Sequence, residues 1–184
     1  MNFLPGSDRI IEETIELFGL ANALFVSKDS QENLGTYAYL AKGLEENGRR
    51  LIIEKLLSVA IKLRFLDDQS KLLKTYDRSN AGTLIANGVE NNVGLREALN
   101  KIIHHKSIEV FAKESKITVR DQKTPIPAEE IRISEGTYSG FSIFVRTEGT
   151  NRDQIWIFHT ELTALTNEML RVFHFTNEKK WGSQ

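Results

Sequence analysis

Two periods of apolar residues divide the chain, and the change from one to the other falls near residue 107. Ile11, Ile15, Phe18, Ala21 and Phe25 recur at three- and four-residue spacing after the turn residues Pro5, Gly6, Ser7 and Asp8, which predicts an amphipathic helix over residues 8–26. A weaker helical phase over 31–42, with Leu34, Ala38 and Leu44, is interrupted by Gly35 and Gly43. Over 45–69 the signal is strongest: Leu51, Ile52, Ile53, Leu56, Leu57, Val59, Ala60, Ile61 and Leu63 form an arc wider than one surface stripe, as expected of a helix inside a bundle. Asn80, Gly82, Asn87, Gly88, Asn91, Asn92 and Gly94 then make a loop the expectation for 76–94, with one short helix at 83–86. A helix over 95–105 follows.

Beyond Ser107 the period becomes two. Ile108, Val110 and Ala112, then Ile117 and Val119, then Phe141, Ile143 and Val145 alternate with polar neighbours and predict half-buried strands. Residues 148–153 read as a hairpin loop between strands 141–147 and 154–158, and Pro125-Ile126-Pro127 as a bend or an edge. Thr160 is placed to cap a last helix over 161–173, whose Leu162, Leu165, Met169 and Val172 face one way. Helices followed by strands indicate an α+β fold: an N-terminal helical bundle, then a small antiparallel sheet of roughly four strands closed by a C-terminal helix. The corresponding division is 1–106 for the bundle, 107–176 for the sheet and its helix, not independent of the bundle, and 177–184 for a frayed tail.

Composition narrows the classes. Of 184 residues 40% are hydrophobic and 27% charged, which excludes a disordered chain, and 24 basic against 25 acidic residues argue against a globally basic nucleic-acid binder. Without cysteine there is no disulfide, thiolate metal site or cysteine nucleophile. Asp8, Glu12, Glu13 and Glu16 stand where a secretory signal would be apolar, and no stretch has the roughly 18 apolar residues of a membrane helix, so the expected address is the cytoplasm, with no membrane contact. Phosphate-binding, dinucleotide-binding, zinc-protease, EF-hand and nucleophile-elbow motifs are absent, and no cofactor or metal is expected.

One segment stands above this background, Leu95-Arg96-Glu97-Ala98-Leu99-Asn100-Lys101-Ile102-Ile103-His104-His105. At about 100° per residue, Leu95, Ala98, Leu99, Ile102 and Ile103 share one arc, which is core. Arg96, Asn100 and His104 follow each other at spacings of four along its margin, with Glu97 and Lys101 beside them. A histidine and an amide one turn apart can move a proton and orient an anion. Arg96 lies about 12 Å along the axis from His104 and leans the other way, so a cation for a shared phosphate must come from Lys101, from Arg64, or from a second subunit. The bland alternatives are that Asn100 and His104 cap the helix end, that Arg64 forms helix-surface ion pairs with Asp67 and Asp68, that His159 and His174 are helix-end residues, and that Trp156, Phe158 and Phe144 pack together on the sheet face opposite Ile143, Ile155 and Ile157 rather than stack bases.

The segment 95–104, following a long helix that contains Leu63-Arg64-Phe65-Leu66-Asp67-Asp68, resembles the HEPN superfamily of helical bundles, many of which carry an Arg-Asn-x-x-x-His signature. The resemblance spans about residues 45–106. It implies a helical bundle, frequent homodimerisation that brings two motifs together, and, in active members, metal-independent RNA cleavage. Asn100 and His104 match the signature, whereas Leu99 stands where its arginine belongs. That departure suggests a non-catalytic or degenerate interaction and assembly module, associated with RNA or a protein partner, and a homodimer through the helical half. The alternative is a metal-independent RNA endonuclease with His104 as general acid/base, Asn100 orienting, and Arg64, Lys101 or Arg96 on the phosphate.

Overall fold

The computed structural model describes residues 6–23, 38–75, 80–119, 136–151 and 154–181. Helix α1 (Ser7–Ala23) buries Ile10, Leu17 and Ala21 together with Thr14, whose hydroxyl donates to the Ile10 carbonyl at 2.7 Å. The buried stripe is therefore one residue out of phase with the expected one, and Ile15 and Phe18 are exposed. Both arcs of α1 are apolar, and the neighbouring helices decide which one is covered.

Helix α2 (Ala38–Ser70) is a single helix of 33 residues where two were expected; residues 31–37 of the weaker stretch lie outside the described residues. Gly43 and Gly48 each cost about 1 kcal/mol relative to alanine, less than the burial of Ile52, Leu56, Val59, Ala60, Leu63 and Leu66 returns. Glu13 of α1 accepts from Lys62 at 2.5 Å, and from Ser58 and Arg9 at 3.2 Å, while Glu16 pairs with Lys55. These contacts tie α1 alongside α2.

Helix α3 (Leu72–Thr75) is a single turn, and the chain then departs from expectation. Residues 83–86 are extended, in strand β1 (Gly82–Ala86), and β1 pairs with β2 (Val89–Val93). Asn87 and Gly88 have φ of 54° and 75°, the two left-handed positions of a type I′ hairpin, which connects twisted strands without splaying them. The turn formers thus mark a hairpin, disguised because β2 is an exposed edge of Glu90, Asn91 and Asn92 with no buried face to alternate.

Helix α4 (Leu95–Ile103) leads into β3 (Ser107–Val119), β4 (Gly136–Asn151) and β5 (Gln154–Glu161), and α5 (Leu162–Trp181) closes the chain. Together they give an α+β fold whose sheet has, among the described residues, five strands in the order β2-β1-β5-β4-β3, every neighbouring pair antiparallel. The sheet draws strands from both sides of residue 106. Residues 148–151, expected in a loop, continue the β4 ladder to the pair Asn151–Gln154. Thr160 lies within β5 rather than at a cap and donates to the Ala81 carbonyl at 2.8 Å, joining β5 to the start of β1. Helix α5 continues past residue 173 to Trp181, into the stretch expected to fray, and the proline-containing bend at 125–127 lies outside the described residues.

One face of the sheet meets the helices. Val110, Ile143, Val145, Trp156 and Phe158 join Leu162, Leu165, Met169 and Val172 of α5 and the buried arcs of α1, α2 and α4 in one hydrophobic cluster. Trp156 and Phe158 therefore share a face with Ile143 instead of opposing it, because β5 residues pair with β4 such that Phe158 faces Thr147 and Trp156 faces Gly149. Phe144 is on the outer face, stacked on Phe111 with ring centroids 5.8 Å apart. Gly149 is where Trp156 packs: a Cβ there would come within 2.2 Å of the indole. Among the described residues no helix is long and apolar enough to cross a membrane.

Candidate functional site

The segment singled out in the sequence forms α4 over Leu95–Ile103, and Leu95, Ala98, Leu99 and Ile102 are buried as its apolar arc requires. Gly94 precedes the helix without a side-chain cap, and His104 follows its last turn with φ −100°, its N–H bonded to the Asn100 carbonyl at 3.0 Å. The His104 ring is exposed, and among the described residues it forms no hydrogen bond. His105 turns back instead, Nδ1 lying 2.6 Å from the Ile102 carbonyl oxygen.

Each cation considered for His104 is committed elsewhere. Lys101 reaches Glu97 at 3.2 Å and lies 4.6 Å above the Trp156 ring, a cation–π contact that holds α4 on the sheet. Arg96, at the far end of α4, donates from Nε to Asp67 Oδ2 at 2.8 Å, and Arg64 donates to the same oxygen from Nη1 at 2.8 Å. Arg64 and Arg96 are brought together, away from Asn100 and His104.

Asp67 is the residue that sequence reasoning misplaced. It was expected in a helix-surface ion pair, yet its side chain is only 1% exposed. Its second oxygen, Oδ1, accepts from the Leu73 N–H at 2.7 Å, and its carbonyl accepts from the Lys71 N–H at 2.7 Å. One carboxylate thus fixes the end of α2, the start of α3 and the N-terminal turn of α4. A buried carboxylate is tolerable only when its charge is paired and its oxygens are bonded, and both conditions are met. The signal was present: Asp67 follows Leu63 by four residues and Leu56 by eleven, in phase with the core arc of α2, where a carboxylate demands cations from elsewhere. Asp68, on the outer side, is 3.4 Å from Arg64 and 3.7 Å from Arg96.

Beside this cluster opens a cleft of about 290 Å³ lined by Asp67, Lys71, Lys74 and Arg96. Lys71 holds φ of 58° at the α2–α3 junction, a conformation usually left to glycine. Among the described residues no group of three or more histidines and carboxylates is placed to hold a metal ion. Comparison of the chain with protein-family models, with curated proteins and with solved structures finds no match.

Proposed function

We propose that this chain is a non-catalytic interaction and assembly module of HEPN-like type, which pairs with a second copy of itself through the outer face of α2. The observation that carries the reading is the commitment of Arg64 and Arg96 to the buried Asp67, and of Lys101 to Trp156 and Glu97. None of Arg64, Arg96 and Lys101 is thereby left to serve His104, and phosphoryl chemistry without a positioned cation loses the electrostatic term that dominates such catalysis.

The choice of partner rests on the pattern of α2. Opposite its buried arc, Arg50, Glu54, Leu57, Ile61, Arg64 and Asp68 follow one another at spacings of four and three, the seam of a two-helix pairing. Ile61 is 54% exposed and the adjoining Phe65 is 65% exposed. In an antiparallel pair about a two-fold axis level with residue 59, Leu57 meets Ile61, Ile53 meets Phe65, Arg50 meets Asp68 and Glu54 meets Arg64. Every opposition is apolar with apolar or charge with opposite charge, the self-complementarity that a two-fold interface needs.

Light scattering and an RNA assay test both halves. The expected results are a dimer at tens of micromolar, a monomer for Ile61→Asp, and no cleavage of mixed single-stranded RNA in EDTA. A monomeric parent overturns the assembly reading. Cleavage that survives chelation and falls about a hundredfold in His104→Ala makes the chain a ribonuclease instead.

A further inference from the structure

Strand β2 is one edge of the sheet, and among the described residues β1 alone pairs with it. Its Glu90, Asn91 and Asn92 are exposed, and Val89 is 57% exposed. The register fixes where its main chain points. The Val93 carbonyl accepts from the Ala81 N–H at 2.9 Å, so it faces the β1 side, and the two-residue turn at Asn87-Gly88 makes Ala86–Val89 a hydrogen-bonded pair. Main-chain N–H and C=O groups alternate in direction along an antiparallel strand, so those of Val89, Asn91 and Val93 address β1 while those of Glu90 and Asn92 point away from it. Sheet edges are usually blunted by a lysine, a proline or a bulge. Residues 89–93 hold neither lysine nor proline and pair one for one with β1, and Glu90 is their only charge.

We infer that β2 pairs with β2 of a second copy of this chain, antiparallel about a two-fold axis through Asn91. Residues whose main chain points outward must meet others that do the same, which sets Glu90 against Glu90, Asn92 against Asn92, or Glu90 against Asn92. The first opposes like charges. The second slides the strands until Glu90 lies opposite Gly94, past the end of the partner's strand. The third uses all of Val89–Val93: each Glu90–Asn92 pair exchanges both main-chain hydrogen bonds, Val89 meets Val93, and Asn91 meets Asn91 at the positions where side chains come closest. Apolar then faces apolar, and each carboxylate faces an amide that can donate to it. This surface lies on β2, and pairing through it does not depend on pairing through α2; with both in use, α2-linked pairs are joined edge to edge through their sheets. A strand of 5 residues on each side makes a small contact, at the weak end of specific interfaces, so this pairing is expected at about 0.1–1 mM, above the tens of micromolar at which α2 pairs.

Sedimentation equilibrium of the full chain carrying Ile61→Asp, at up to about 1 mM, separates this contact from pairing through α2. Two further substitutions at the exposed Asn91 read it, Asn91→Lys and Asn91→Asp, each of which sets like charges face to face only if residue 91 lies on the two-fold axis. The expected result is self-association that each substitution weakens about fivefold, and that returns to at least its former strength when the two variants are mixed in equal amounts, since lysine then faces aspartate. Asn92→Pro removes an N–H that points away from β1, a place where an edge strand accepts proline, and is expected to abolish the association. Self-pairing of β2 is overturned by a chain that stays monomeric at about 1 mM, by association that either charge at residue 91 leaves within about twofold, or by a mixture that associates no better than its components. The mass at tens of micromolar, with and without Ile61→Asp, reports on pairing through α2 alone, so the two fail separately.

Discussion

Substituting Asp67 tests whether one buried carboxylate organises the junction of α2, α3 and α4. Asp67→Ala strands Arg64, whose side chain is 17% exposed, removes the anchor of Arg96, and leaves the Leu73 N–H without its acceptor. Removing one partner of a buried ion pair costs about 3–5 kcal/mol. Arg96 is half in water and can rehydrate, which moves the expected loss to the lower end, about 3 kcal/mol. For a chain of this size that is a fall in melting temperature of roughly 6–12 °C. Asp67→Asn keeps an acceptor for Leu73 and loses only the charge, so it falls between parent and alanine variant. The internal control is Asp68→Ala. Its side chain is 59% exposed and its ion pairs are 3.4 and 3.7 Å long, so the loss expected is below about 0.5 kcal/mol. Thermal and urea unfolding followed by circular dichroism measure all three. The reasoning is refuted if Asp67→Ala melts within about 2 °C of the parent, or if Asp68→Ala costs as much.

Gly149→Ala pushes a methyl into the Trp156 ring; it is expected to cost about 1–3 kcal/mol and to shift the tryptophan emission, and unchanged unfolding and fluorescence would contradict the packing described. His104→Ala removes an exposed ring that makes no hydrogen bond among the described residues, so its melting temperature should match the parent's, and a drop of several degrees would instead make His104 a structural cap. The hydrogen bond from Lys62 foremost holds the Glu13 carboxyl below its ordinary value of 4.5, its charge and the bonds from Arg9 and Ser58 adding to this against partial burial. A depressed carboxylate contributes stability in full above its unfolded pKa and loses it as pH falls through the folded one. The stability gap between the parent and Glu13→Gln should therefore stay constant above about pH 5 and shrink on acidification below 4.5, and a gap that widens there would reverse the assignment.

The order of helices and strands was legible because each period is written locally. Ile143 and Val145 alternate wherever they are placed, and Leu95, Ala98, Leu99 and Ile102 share one arc of α4 whatever they pack against. The stripe Arg96, Asn100 and His104 was likewise readable from spacing alone. Local pattern could not choose between two apolar arcs of α1, so Ile15 and Phe18 were assigned inward and the packed molecule exposes them. Nor could it see β2 as a strand, since an edge strand with both faces wet has no alternation to display, and only pairing with β1 through the Asn87-Gly88 turn defines it. The faces of Trp156 and Phe158 were decided by the β4–β5 register, which is a property of two strands and not of one. The same holds for the site. Spacing put Arg64 and Arg96 on the surfaces of separate helices, and it took the crossing of α2 and α4 to bring both guanidinium groups onto Asp67, 2.8 Å from the same oxygen. Sequence determines which faces and charges a helix offers; packing, by excluding water from one side of it, decides which charges must find each other.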